Sequence, residues 1–310
     1  MQDHLNELKQ RYAKAVKIKS ALKEGCLYFA VGGGLGLKDA ANLKIGTTED
    51  GRRVTLRAVE LNPLATEAFG ATTDHFVVPY MLKHSGLIHS ELEVERADLR
   101  DSDNIFKQLR PITLCLSLSV EVPIYIPFVL NTSWSSLPAF RNREIEVKLT
   151  DSGYEDPISF TGGEITAEVA TFVDSKIATI RALLQNNKFQ IAVDAYEACL
   201  KLGNKKIAIA TAWTGIEAIF GISSELKFRT ALYAASELAE ANDPYITFLD
   251  TKALYDLRSK VVHGSSIKEK DLNDAYGKSL GLLLTLLRVV VRRGNLRDIS
   301  EIEKSILSSK

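Results

Sequence analysis

The hydrophobic pattern changes character about half-way along the chain. Near the start, residues 1–23 alternate charges around Leu5, Leu8 and Tyr12 on one helical stripe, and a helix is predicted there. Short apolar runs follow, Leu27-Tyr28-Phe29-Ala30-Val31 and Val54-Thr55-Leu56-Arg57-Ala58, separated by glycine-rich or charged connections. Such runs predict strands. Leu114, Leu116, Leu118, Val120 and Val122 alternate with Cys115, Ser117, Ser119 and Glu121, the period of a strand with one buried face. Ile145, Val147 and Leu149 alternate in the same way with Glu144, Glu146 and Lys148. Beyond Gly163 the spacing becomes three-and-four, as in Ile209, Trp213, Ile216 and Phe220, or Leu272, Tyr276, Leu280, Leu283, Leu287 and Val290. Six helices are predicted, near 164–185, 189–201, 205–220, 224–240, 247–263 and 270–292, with Gly203, Gly221, Pro244 and Gly264 as breaks. The predicted class is α+β: a strand-rich N-terminal domain over 1–163, then an all-α helical bundle over 164–310. The boundary is placed in the polar, turn-rich segment Asp151–Gly163, and no internal repeat or low-complexity stretch interrupts either part.

A chain of 310 residues with 45% hydrophobic content can bury two cores of ordinary size. Lys+Arg and Asp+Glu are both 39, so no long-range field drives indiscriminate attraction to nucleic acid or an anionic membrane, and any nucleic-acid contact must be local. From residue 201 onward there are 17 basic and 13 acidic side chains, so the C-terminal part carries +4 and the rest −4. Cys26, Cys115 and Cys199 are odd in number and far apart, and read as reduced, buried thiols. The first residues lack the apolar core of a signal peptide, and Leu280–Val291 is too short to span a bilayer and is interrupted by Arg288. The expectation is a cytoplasmic protein without membrane attachment.

The stretch that carries chemistry is Leu254-Tyr255-Asp256-Leu257-Arg258-Ser259-Lys260-Val261-Val262-His263-Gly264, in which four residues separate an arginine from a histidine at a helix end. The spacing alone is unspecific. Its context adds Ala212-Trp213-Thr214-Gly215-Ile216-Glu217-Ala218-Ile219-Phe220-Gly221, then Glu225-Leu226-Lys227-Phe228-Arg229-Thr230-Ala231-Leu232. This order resembles HEPN domains of the Apea-like branch. There a helix with a Leu/Ile-Glu pair is followed by a Glu-Leu-x-(aromatic)-Arg helix and by an Arg-Ser-x-(apolar)-(apolar)-His-Gly segment, which Arg258 to Gly264 matches at every position. The resemblance covers about residues 165–295 and leaves the N-terminal half outside it. It implies metal-independent RNA cleavage, with the arginine and histidine of two protomers meeting in one composite site across a homodimer, and no cofactor. Some members of the family instead bind nucleotides or protein partners, and several act in toxin–antitoxin or antiviral systems. A protein trigger or antitoxin is therefore an expected partner beside RNA, and the strand-rich half is expected to sense or regulate.

Elementary geometry sets a problem for the pair: to act on one phosphate, Arg258 must reach around the helix, the last turn must unwind, or a second subunit must supply one of the groups, as the composite site implied by the resemblance does. Five residues along an α-helix turn the chain about 500°, leaving two side chains roughly 140° apart around the axis and about 7.5 Å apart along it. In the implied chemistry His263 exchanges a proton while an RNA 2′-hydroxyl attacks the adjacent phosphate, and Arg258, always charged and planar, holds the phosphoryl oxygens. Gly264 suits the left-handed residue that closes a helix. Against this, Arg258, Lys260 and His263 can simply complement a helix C-terminus. Glu217, on the core-facing stripe beside Trp213 and Phe220, can orient the site or pair with an arginine inside the bundle. Ser259 and Tyr255 flank the motif as supporting candidates or ordinary helix residues. Lys260, Arg288, Arg292 and Arg293, with Arg297, form either a local phosphate-binding patch or a solvated basic face.

Two other signals compete. Gly32-Gly33-Gly34-Leu35-Gly36 follows a predicted strand but lacks the G-x-G-x-x-G spacing and a Gly-Lys-Ser/Thr ending, and reads as a mobile turn. His84, His89 and Glu91 do not form His-Glu-x-x-His, so no metal site is expected there.

Overall fold

The computed structural model describes residues 2–72, 74, 76–140, 144–150, 163–222 and 224–308. Two compact units emerge, Met1–Ile177 and Ala178–Lys310. Their division falls inside a helix, later than the boundary expected from the sequence. Apart from Gly163, the expected boundary segment lies outside the described residues.

The first unit runs α1 (Gln2–Ser20), β1 (Cys26–Val31), β2 (Gly36–Leu37), β3 (Asn42–Thr47), β4 (Arg53–Ala58), α2 (Ala65–Ala71), α3 (Val77–Ser85), β5 (Ser90–Glu95), α4 (Ser102–Val120), β6 (Phe128–Leu130), a 3-10 turn at Trp134–Ala139, β7 (Val147–Leu149) and β8 (Glu164–Ile165). Six strands form an antiparallel sheet in the order β3-β4-β5-β1-β6-β7, and β2 pairs in parallel with β8. The predicted strands at 27–31 and 54–58 are β1 and β4, and of the strand predicted over 144–149 only the last three residues form β7, Ile145 making a separate bridge to Thr72. All six residues of β1 are buried, which is why it reads as a continuous apolar run rather than an alternation. Ala30 joins Phe128 and Leu130 in a core shared with Ala71, Val77, Met81, Trp134 and Leu137.

The alternation at Leu114–Val122 misled: this segment ends helix α4, closed by Glu121 at φ 57°. Leu114, Cys115, Leu116, Ser117 and Leu118 are all buried. A helix covered on nearly every side has no polar face to display a 3.6-residue period. Two serines near its end are satisfied locally, Ser117 Oγ accepting the Ile124 N–H at 3.0 Å and Ser119 Oγ donating to the Cys115 carbonyl at 2.7 Å. The glycine run is likewise a packed turn. A side chain on Gly32 would lie 2.4 Å from the Tyr125 ring, and one on Gly33, at φ +99°, would lie 2.4 Å from the Pro123 carbonyl oxygen.

His84, His89 and Glu91 each have separate partners. His84 Nδ1 lies 2.9 Å from the Tyr125 hydroxyl, and His89 Nε2 lies 3.1 Å from the Gly86 carbonyl. Glu91 sits in the core, accepting from Ser133 Oγ–H at 2.6 Å and the Trp134 N–H at 2.8 Å, with Arg57 Nε at 3.8 Å. Burial pushes its carboxyl up to about 7 despite these partners, with Glu93 adding to the rise. Because the folded value lies above the ordinary 4.5, the stability is fully present below about pH 4.5 and is lost as pH rises through about 7. The loss amounts to as much as about 3 kcal/mol. Urea titrations of wild type and Glu91→Gln at pH 5 and pH 8 check this: wild type is expected to weaken at the higher pH, and the variant to lose much of that dependence.

The second unit is helical, with α5 (Ala167–Leu183) entering it from the first and α6 (Asn187–Lys201), α7 (Lys205–Phe220), α8 (Leu226–Glu237), α9 (Pro244–Val262), α10 (Glu269–Arg293) and α11 (Ile299–Ser308) following. Six of these correspond to predicted helices; α11 lies beyond the last of them. Asn186, Asn204 and Asp243 cap the starts of α6, α7 and α9 through side-chain oxygens. Pro244 separates α8 from α9 and opens α9 at its first turn, where no backbone donor is required. Ile209, Trp213, Ile216 and Phe220 of α7 are buried, as are Leu280, Leu283, Leu287 and Val290 of α10. Gly215 permits the close approach of neighbours: a side chain there would meet Ala195 Cβ at 2.9 Å and Leu283 Cδ1 at 3.2 Å. Among the described residues no helix is long and apolar enough to cross a membrane.

Candidate active site

Helix α9 carries the Arg258…His263 stretch, and its last turn is closed by two backbone bonds. The Gly264 N–H donates to the Val261 carbonyl at 3.2 Å and the Ser265 N–H to the Lys260 carbonyl at 2.9 Å. Gly264 is left-handed at φ +76°. This is the Schellman arrangement expected of glycine after a helix, and it makes His263 the C-cap, its own N–H on the Ser259 carbonyl at 3.0 Å. The His263 side chain is exposed, and its ring makes no hydrogen bond among the described residues.

Arg258 takes the opposite course. Its Nη2 lies 3.6 Å from Glu217 Oε1 on α7, and its guanidinium carbon lies 5.3 Å from the Tyr255 ring centroid. Tyr255 meets Trp213 edge-on at 5.0 Å, and the Trp213 indole N–H donates to Ser279 Oγ at 3.2 Å. The arginine is thus held by an acid, a ring and the packing behind that ring. Burial raises the Glu217 carboxyl while Arg258 opposes the rise; burial also raises the Tyr255 hydroxyl. Arg258 Nε and Glu217 Oε1 are buried without a hydrogen-bond partner among the described residues, so the ion pair leaves a guanidinium donor unspent.

The motif therefore supplies an inward arginine and an outward histidine. On an ideal helix they are about 140° apart, so the helix does not point both side chains at one phosphate. Ser259 is half-buried, Lys260 is exposed, and both contribute carbonyls to the helix end.

The remaining basic candidates separate into two groups. Arg288 is half-buried, and burial and then Arg292 lower its pKa. Arg292 is exposed. Arg293 is engaged elsewhere, its Nη1 2.7 Å from Glu237 Oε2, while Arg297 Nη1 lies 3.1 Å from Glu237 Oε1. The Glu237 side chain is only 3% exposed, so this double ion pair fastens the end of α10 and the segment after it to α8. Glu237→Ala would strand two cations and is expected to destabilise the chain by about 3 kcal/mol. A fall in the denaturant midpoint checks this, with Arg292→Ala as a near-neutral comparison.

Arg229, from the second matched stretch, turns away from the motif. It donates to the Tyr233 hydroxyl at 2.9 and 2.8 Å and pairs with Glu303 of α11 at 3.3 Å. Sequence reasoning did not pick out Ser279, which lies 66 residues from Trp213. The rings of Phe228 and Tyr245 are exposed, and only Phe228 has a lysine, Lys227, beside it in the sequence. Comparison with protein-family models, curated proteins and solved structures finds no match to this chain.

Proposed function

We propose that the helical half is a metal-independent endoribonuclease of the HEPN type, acting as a homodimer in which Arg258 of one protomer and His263 of the other serve a single phosphate. The observation that carries this reading is the opposed placement of the pair: Arg258 steadied by Glu217 and Tyr255, His263 presented to solvent at a closed helix end. His263 removes the proton from the RNA 2′-hydroxyl, whose oxygen bonds to phosphorus as the 5′-oxygen departs. The departing 5′-oxygen takes a proton from solvent water, leaving a 2′,3′-cyclic phosphate and a 5′-hydroxyl. Arg258 stabilises the charge gathering on the phosphoryl oxygens. In this reading the protein works in the cytoplasm as an antiviral or toxin-like effector, restrained or triggered by a protein partner, and the first unit senses or regulates.

The test is cleavage of a mixed RNA pool by purified protein in excess chelator, with the new ends mapped. Cyclic-phosphate ends made by wild type and absent with His263→Ala support the reading, whereas no cleavage by wild type contradicts it. The Arg258–Glu217 ion pair favours a second reading, a catalytically silent HEPN module that binds a nucleotide or protein partner and uses the arginine to hold α7 to α9.

A further inference from the structure

Helix α9 exposes two stripes of different chemistry. Ile246, Leu249, Ala253 and Leu257 form an aliphatic one. Tyr245, Phe248, Lys252, Asp256, Ser259 and His263 recur at spacings of three and four and share another side. Tyr245 is 68% exposed. From α8, Phe228, 51% exposed, adds its ring to this second stripe, meeting Phe248 edge-on at 5.7 Å. Lys252 Nζ lies 5.2 Å from the centre of the Phe248 ring and pairs with no carboxylate among the described residues.

Phe228 stands between two hollows. One, of about 500 Å³, is bounded by Leu232, Tyr245, Phe248 and Arg297. The other, of about 580 Å³, is bounded by Ser224, Glu225, Lys227, Lys252 and Tyr255, and Tyr255 is the ring beneath the Arg258 guanidinium. Lys227 is spent on Asp256 at 2.6 Å, so Lys252 is the ammonium left beside the rings, and the exposed Tyr245 and Phe228 with one such cation match the two faces of a single strand, bases that stack and a phosphate that attracts a cation. An aliphatic partner would be served better by the neighbouring stripe.

We propose that Tyr245, Phe248 and Phe228, with Lys252, form a docking track for single-stranded RNA. Bases stack on the rings, a phosphate meets Lys252, and the strand is led along roughly 27 Å of helix to His263. Duplex RNA does not fit, because its bases are already stacked on one another. The proposal rests on the ribonuclease reading for the direction of the strand and not for the binding itself.

The experiment measures binding of a labelled single-stranded RNA oligonucleotide, and of the same sequence as a duplex, to the full chain in excess chelator. His263→Ala provides the background that prevents cleavage. Adding Tyr245→Ala or Phe228→Ala is expected to weaken single-strand binding about tenfold each. Tyr245→Phe is expected to keep the affinity, and Lys252→Ala to reduce the salt slope by about 0.7. Both rings are exposed, so the variants should fold, and thermal melts verify it. No single-strand binding, unchanged affinity after ring removal, or equal affinity for the duplex would overturn the track. If wild type cleaves RNA while ring removal changes nothing, the track is wrong and the ribonuclease reading stands. Ring-dependent binding by a wild type that never cleaves leaves the track standing and removes the ribonuclease reading.

Discussion

Replacing His263 by alanine is expected to slow RNA cleavage by about 10²–10⁴-fold, the range associated with loss of a general acid–base group. Stability should barely change, because the side chain is exposed and its ring makes no hydrogen bond among the described residues. What the histidine gives the fold is its backbone N–H on Ser259, which alanine retains. The helix end is closed by Gly264 and Ser265, also untouched. A rate measured under single-turnover conditions beside an unchanged melting curve therefore separates chemistry from folding. A variant that cleaves like wild type would remove His263 from the mechanism.

Arg258→Ala is expected to cost about 10²–10³-fold in rate, as when one preorganised donor to a developing oxyanion is removed. Its structural effect differs, since it also leaves Glu217 half-buried without its cation. The Glu217 carboxyl already lies above its ordinary value through burial, and Arg258 is the influence that opposes this. Without the arginine the value climbs further. Stability then persists at low pH, where the unfolded carboxyl is protonated as well, and is lost as pH rises through the elevated folded value. Adding Glu217→Gln should recover the fold without recovering cleavage. Recovery of both would show that Arg258 acts through packing alone. Arg258→Lys keeps the charge but loses the planar fork, so an intermediate rate is expected.

Helices were far more legible in the sequence than strands. The three-and-four spacing of Ile209, Trp213, Ile216 and Phe220 reports one buried face of α7, and glycine closes that helix at Gly221 with φ 64°. In the first unit burial erased the signal. Serine and cysteine inside α4 imitate the polar half of a strand because both are small enough to bury and find partners locally. Glu91 shows the opposite problem: a carboxylate deep in a core is invisible to hydrophobic patterning, and its partners at Ser133 and Trp134 are more than forty positions away. The site followed the same division. Gly264 as a helix stop and Glu217 as a partner for an arginine were readable from spacing. Arg293 was not separable from its basic neighbours, since only the folded chain brings Glu237 against it.

The measurement that most directly tests a site shared between two chains is complementation of two inactive variants. Arg258→Ala and His263→Ala proteins are purified separately, mixed under conditions of subunit exchange, and assayed on RNA in chelator. Half of the dimers are then mixed, and each carries one intact Arg258–His263 pair, so activity should return to about a quarter of the wild-type value. A mixture that exchanges subunits and remains inactive, while wild type cleaves, would contradict the composite site and place both residues' action within one chain.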